Sequence, residues 1–476
     1  MTGAPGEPLD LADIQGLVAR GYGLLPHAAY LLLRVEDPAP AGRLLRRWVD
    51  EREVTPASES PRRHAMHVAF TAPGLQAMTG WDALPDGFSE PFLTGMATPY
   101  RSRLLGDVGA NDPAGWVWGG PGAEQVHLVV LLYGDEEEHL AERQAAVLEE
   151  AGAHGLRLVQ TLSTDPLSDR EPFGFPDGIS QPILAGLPAA RRGGDVVRNG
   201  EFVLGYVNEY DQRSERPLLD RRRDPDRLLP RDVDGSGAAD LGRNGSYLIF
   251  RQLRQDLAAF EDYLTEAAGP DADGDARERV AAKLVGRWRG SGAPLVLSPS
   301  YDDPEHARAN GFGYHDLDPD GLRCPIGAHT RRANPRDSLP PGPGTPESRA
   351  VNRRHRLIRR GRSYRTTTSG AEERGLHFQC LSTSLTRQYE FVQHTWLNDP
   401  SFDVLVDGED PLVGPRVAGP AGFTVPDTPV RRRYGGLPQF VTVCGGGYFF
   451  LPGLRALRFL ATTGTKGATT WTHRDR

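Results

Sequence analysis

Between Ala28 and Glu36 the chain reads AAYLLLRVE, an almost unbroken apolar run bounded by polar residues, and the pattern predicts a strand. Apolar residues then fall at helical spacing through Ala41 to Arg52 (AGRLLRRWVDER), which predicts an amphipathic helix. His64 to Thr71 (HAMHVAFT) alternates and predicts a second strand. After a long stretch rich in Gly, Pro and Trp, Val126 to Gly134 predicts a strand, Glu136 to Glu150 a helix, and Leu156 to Thr164 a further strand. The order is βαββαβ, the split βαβ arrangement of ferredoxin-like domains.

The pattern resumes near Asn244. Ser246 to Arg251 predicts a strand, Gln255 to Ala267 a helix, Gly375 to Ser382 a strand, Ser384 to Trp396 a helix, and Gln439 to Leu451 a final strand with a Gly-rich bulge. An α+β chain of two tandem ferredoxin-like halves is therefore expected. Residues 1–211 would form the N-terminal half and 244–476 the C-terminal half. Residues 212–243 are dense in Arg, Asp and Pro and read as an exposed connector. A long insertion in the second half, Gly269 to Arg374, is expected to carry function, because long loops without regular structure are functional or disordered.

Composition narrows the function classes. The 476 residues are 38% hydrophobic and 25% charged, enough for a sizeable core. With 55 basic against 63 acidic residues and no basic stripe interleaved with aromatics, nucleic acid is not an expected partner. The basic residues are nearly all arginine, Lys283 and Lys466 being the exceptions, which reads as genomic bias. Cys324, Cys380 and Cys444 are odd in number and widely spaced, which indicates neither a disulfide framework nor a structural zinc site. MTGAPGEPLDLADIQG shows no signal-peptide pattern and no twin-arginine signal, so a cytoplasmic location is expected.

Three segments carry candidate chemistry. In FGFPDGISQP, Asp177 is the one charged residue, between proline and glycine and just after two aromatics; it is either a turn former or an acid placed under apolar cover. In RCPIGAHTRRANPRD, His329 precedes Arg331, Arg332 and Arg336. A lone histidine is commonly a hydrogen-bonded or exposed side chain, but arginines beside one neutral ligand suit an anionic cofactor such as haem with its two propionates. Cys324 competes as a thiolate ligand, or is a buried inert cysteine. In HRLIRRGRSY most arginines read as a solvated face, yet Arg359 and Arg360 must point opposite ways if the segment is extended, and an inward arginine could pair with Asp177.

Taken in order, GFPDG, RCPIGAHTRRANPRD, LIRRG and the terminal VTVCGGGYFFLPG, together with DIQGLVARGYG and RNGSYLIFRQL, resemble the dye-decolorizing peroxidases over nearly the whole chain. The resemblance implies tandem ferredoxin-like domains in a dimeric α+β barrel-like fold holding one haem b. It implies His329 as the proximal iron ligand, Asp177 as the distal acid/base and Arg359 as the distal cation. Arg336 would pair with a propionate, Leu376 and Phe378 would line the distal side, and Asp410 in GEDPLVG would accept the proximal imidazole proton. The implied activity is oxidation of dyes, phenols or similar small organic donors by hydrogen peroxide through a ferryl intermediate, with a homodimer as the implied assembly. The chain departs from some members in carrying Gly361 two positions after the distal arginine, and Pro176 before the distal acid. Tyr364 resembles a surface radical position, against the simpler reading of a packed tyrosine. A haem-binding or delivery protein and a pathway-specific haem oxidase stay open as alternatives. A carrier, however, needs no distal acid and cation.

Overall fold

The computed structural model describes residues 7–192, 194–270, 273–368, 371–406, 408–416 and 421–465. The first half follows the expected order: β1 (His27–Val35), α1 (Pro38–Asp50), β2 (His64–Phe70), β3 (Leu128–Gly134), α2 (Glu137–Ala153) and β4 (Leu156–Ser163). Helix α1 starts at Pro38, ahead of the expected Ala41, because the Asp37 side chain caps it by accepting from the Ala39 amide and proline suits the first turn.

The second half contains β5 (Ser246–Gln255), α3 (Leu257–Ala268), α4 (Gly274–Val285), α5 (His329–Ala333), β6 (Ile358–Arg359), β7 (Arg362–Thr368), β8 (Ala371–Ser382), β9 (Val441–Leu451) and α6 (Leu454–Thr465). The helix expected over 384–396 is wound more widely, at π pitch, through Thr386–Glu390 and Val392–Leu397. The insertion expected to lack regular structure is ordered, with α4, α5, a helix at Pro346–Arg353, β6 and β7 inside it.

These nine strands form one antiparallel sheet in the order β6-β8-β5-β9-β2-β3-β1-β4, with β7 pairing β8 as well. The halves meet where β9 pairs β2, with Phe450 opposite Phe70. The far ends approach each other: the Asp165 amide donates to the Ser363 carbonyl at 2.8 Å, curling the sheet towards a barrel. Alternation splits the core into two faces. Leu31, Leu33, Val68, Val130 and Ile249 pack with Trp48 of α1 and Leu460 of α6, whereas Tyr30, Leu32, Val129, Tyr133 and Phe250 fill the other side. The glycine-rich bulge expected in β9 falls between Val443 and Gly445. A Cβ on Gly445 would stand 2.5 Å from the Trp118 indole nitrogen, so only glycine fits.

The stretch read as an exposed connector is partly interior. Arg216 is buried, donates from Nε to Asp240 at 2.7 Å and pairs with Asp232, both carboxylates being buried too. Opposite charges interleaved at this spacing neutralise one another inside, a pairing that composition alone does not separate from a solvated run.

Candidate active site

The turn around Asp177 is built by its own backbone. The Asp177 amide donates to the Asp169 carbonyl at 2.8 Å, and Gly178 follows with φ +77°, the left-handed region that favours glycine. The Gly178 amide donates to Asp177 Oδ1 at 2.6 Å. Arg359 Nη1 reaches the same oxygen at 2.9 Å. Strand β6 aims that arginine: its amide donates to Gln181 Oε1 at 3.0 Å, and its carbonyl accepts from Gln181 Nε2 at 3.2 Å. Arg360 turns the other way and donates to the Leu17 and Val18 carbonyls, as period-2 geometry requires. Burial pushes the Asp177 carboxyl up, but the Arg359 charge, the Gly178 amide and the Arg359 hydrogen bond outweigh it and hold it below the usual carboxylate range.

His329 opens α5 and is held from behind. Its Nδ1 lies 2.9 Å from Oδ2 of the fully buried Asp410. The other Asp410 oxygen accepts from the Leu412 and Val413 amides at 2.9 and 3.0 Å. A carboxylate only accepts here, so Nδ1 carries the hydrogen and Nε2 is the ring atom with a free lone pair. Burial lowers the imidazole's proton affinity, yet the Asp410 charge and hydrogen bond raise it overall.

One cavity of about 310 Å³ is lined by Asp177, Arg359, His329, Arg336, Leu376 and Phe378, so six of the seven expected site residues share a space, with the seventh, Asp410, directly behind His329. Arg336 is fixed by the Asn310 carbonyl and side chain, both at 2.6 Å, and stacks 3.9 Å from the Phe312 ring. Its buried Nε finds no partner among the described residues. The arginine cluster expected after His329 is otherwise dispersed. Arg331 turns to Asp318 at 3.0 Å, and Arg332 to the Trp396 and Gly408 carbonyls, because one helical turn sends successive side chains to different sides. Cationic lining comes instead from Arg356, paired with Asp195 at 2.5 Å, and from Arg287, bonded to the Gly292 and Ala309 carbonyls. Arg356 and Arg362 are buried, which corrects the reading of HRLIRRGRSY as mainly solvated.

Cys324 does not line the cavity; it is buried, its Sγ lies 4.0 Å from two carbonyl oxygens, and burial pushes the thiol up to about 11. An uncharged, enclosed thiol is a poor metal ligand, whereas His329 faces the cavity. Tyr364 is a packed tyrosine, stacked 4.4 Å from His377 and hydrogen-bonded to Glu373. Among the described residues no group of three or more His, Cys, Asp or Glu side chains is placed to hold a metal ion. His329 thus offers one donor, the number an iron needs when a macrocycle occupies its equatorial positions. Apolar walls from Leu376, Phe378 and Phe175, with arginines among the lining, fit a flat apolar ring bearing carboxylates.

No family model matches the chain. It is 30% identical over 421 residues to the dye-decolorizing peroxidase of Exidia glandulosa, an alignment covering 83% of this chain and 75% of the relative. A multifunctional dye peroxidase from Amycolatopsis sp. is 31% identical over 377 residues, covering 73% and 74%. The chain belongs to the dye-decolorizing peroxidase family. This dye-decolorizing peroxidase superposes on the crystal structure of the Auricularia auricula-judae enzyme with TM-score 0.75, at 27% identity, over 96% of this chain and all of the other. A family structure described as a complex with 2,6-dimethoxyphenol gives TM-score 0.74, again at 27% identity over 96% of this chain and all of the other. The α+β fold is thus that of the family, the enzyme is a haem peroxidase acting on dyes or phenols, and its cofactor is haem b.

Proposed function

We propose that this peroxidase uses hydrogen peroxide to oxidise small phenols and dyes with Asp177 as acid/base, Arg359 as fixed cation and His329 as the residue that would ligate the haem iron. The observation that carries the reading is the 2.9 Å pairing of Arg359 with Asp177 in the same cavity as an imidazole anchored by Asp410. Haem bound there supplies the redox chemistry that splits the peroxide bond and draws electrons from the donor. Asp177 would accept a proton from one peroxide oxygen and return it to the other, which leaves as water. Proton transfer of this kind contributes roughly 10² to 10⁴ in rate.

The Arg359 charge keeps Asp177 ionised, ready to accept. It also stands where negative charge gathers on the leaving oxygen and stabilises it. Asp410 fixes the His329 tautomer and makes the imidazole a stronger donor to iron. Arg336 would hold a haem propionate, and its unpartnered Nε is the kind of atom such a carboxylate satisfies. Leu376 and Phe378 keep bulk water from the proton-transfer path.

The test is an absorption spectrum of the purified protein before and after one equivalent of peroxide, followed by steady-state oxidation of 2,6-dimethoxyphenol. A Soret band that does not respond to peroxide would remove the reading. Haem passing readily to an apo-acceptor without phenol oxidation would favour a carrier instead.

A further inference from the structure

The loop that ends in Asp177 is wound about a second carboxylate, that of Glu171. Glu171 Oε1 accepts from the Phe175 amide at 2.9 Å, and Oε2 accepts from the Phe173 amide at 3.0 Å and from Gln255 Nε2 at 2.8 Å. The backbone of the same residue closes the turn: its amide donates to the Phe175 carbonyl at 3.0 Å, and its carbonyl accepts from the Gly174 amide at 2.8 Å. Gln255 ends β5, so the turn is tied through one side chain to the sheet wall of the cavity.

The consequences run forward along the chain. With their amides held, Phe173 and Phe175 insert beside Phe260, at ring separations of 4.5 and 6.5 Å. Pro176 then bridges Arg170, and the Asp177 amide meets the Asp169 carbonyl. Glu171 also lines the cavity. A carboxylate has lone pairs for all three donors at once, an amide side chain has one acceptor oxygen, and alanine has none.

We propose that Glu171 is a positioning residue for Asp177, its carboxylate setting the direction from which the distal acid meets peroxide. The proposal rests on the reading of Asp177 as acid/base. Losing the brace leaves two loop amides unpaired and lets the turn relax, and a displacement of about 1 Å at a reacting group costs on the order of 10²-fold in rate. Gln255 acts one step further back, through Glu171.

The test is a double-mutant cycle on the haem-loaded enzyme, read by stopped-flow association of cyanide at neutral pH. Cyanide arrives as HCN and must give up its proton on binding, so its association rate reports the distal base without turnover. Asp177→Asn and Glu171→Ala should each slow association by at least about tenfold, with haem content and Soret position unchanged. Glu171→Gln, which keeps one acceptor, should fall between Glu171→Ala and the parent. The double variant Glu171→Ala/Asp177→Asn should be no slower than Asp177→Asn alone, because a group that acts only through Asp177 has nothing left to aim. Multiplied effects in the double variant, or parental rates in both Glu171 variants, overturn the proposal. If Glu171→Ala does not fold, Glu171→Gln carries the same cycle. A parental rate in Asp177→Asn overturns the acid/base reading itself and the positioning role with it, and the single variant makes that failure distinct.

Discussion

Asp177 and Arg359 oppose each other's desolvation, and in the proposed mechanism the balance between them sets the working pH of the site. The carboxylate must be ionised to accept a proton, and it is held below its usual value by Arg359 and the Gly178 amide. The rate of reaction with peroxide should therefore stay level from neutral pH downwards and fall only below about pH 3.9, the unperturbed aspartate value. Arg359→Leu removes the strongest opposing pull, so burial then dominates and the inflection should move upwards, with a slower reaction at every pH. A stopped-flow pH series on both proteins checks this, and an unmoved inflection would take Arg359 out of the mechanism. For His329→Ala, loss of the single axial donor should abolish or grossly weaken haem binding, seen as a missing or shifted Soret band. These residues were legible because each stands among neighbours of unusual chemistry, an acid amid aromatics or a histidine amid small residues and arginines. Glu171, Arg287 and Arg356 carry no such local mark; they reach the cavity through contacts between segments far apart in the chain.

At the scale of elements, the strands of the first half lie within a residue or two of their expected bounds, because their apolar runs are strong and bounded by polar residues. The wide helix over 386–397 was seen only as a helix, since a π turn keeps helical composition while rotating side chains by a different step. That rotation matters, for Tyr389, Val392, Gln393 and Leu397 all line the cavity. Charge-rich segments misled more. Arg216 looked solvated in sequence but sits buried between Asp232 and Asp240. Removing it as Arg216→Ala strands two buried carboxylates and should cost about 3–5 kcal/mol of stability, measured by urea unfolding, while the Soret band stays unshifted.

For the whole molecule, acid is a hazard where for the site it is not. His67 and His377 are buried inside the curled sheet, and burial drives both imidazoles down to about 3. A histidine with a depressed folded value is neutral in the native state, so its contribution is fully present above pH 6.5 and is lost as pH falls towards 3. Each should remove about 1.4 kcal/mol per pH unit over that window. Urea midpoints measured at pH 7 and pH 4.5 should therefore drop steeply, and His67→Gln should flatten the slope.

Asp177 and Arg359 stand 182 residues apart in the chain, and Asp410 comes later still than His329. A growing chain that has emerged only as far as residue 340 carries the acid and the imidazole, with neither the cation that keeps the first ionised nor the carboxylate that fixes the second. Synthesis order thus leaves both pairs to be closed late, and β9, the strand that joins the two halves of the sheet, is made later still.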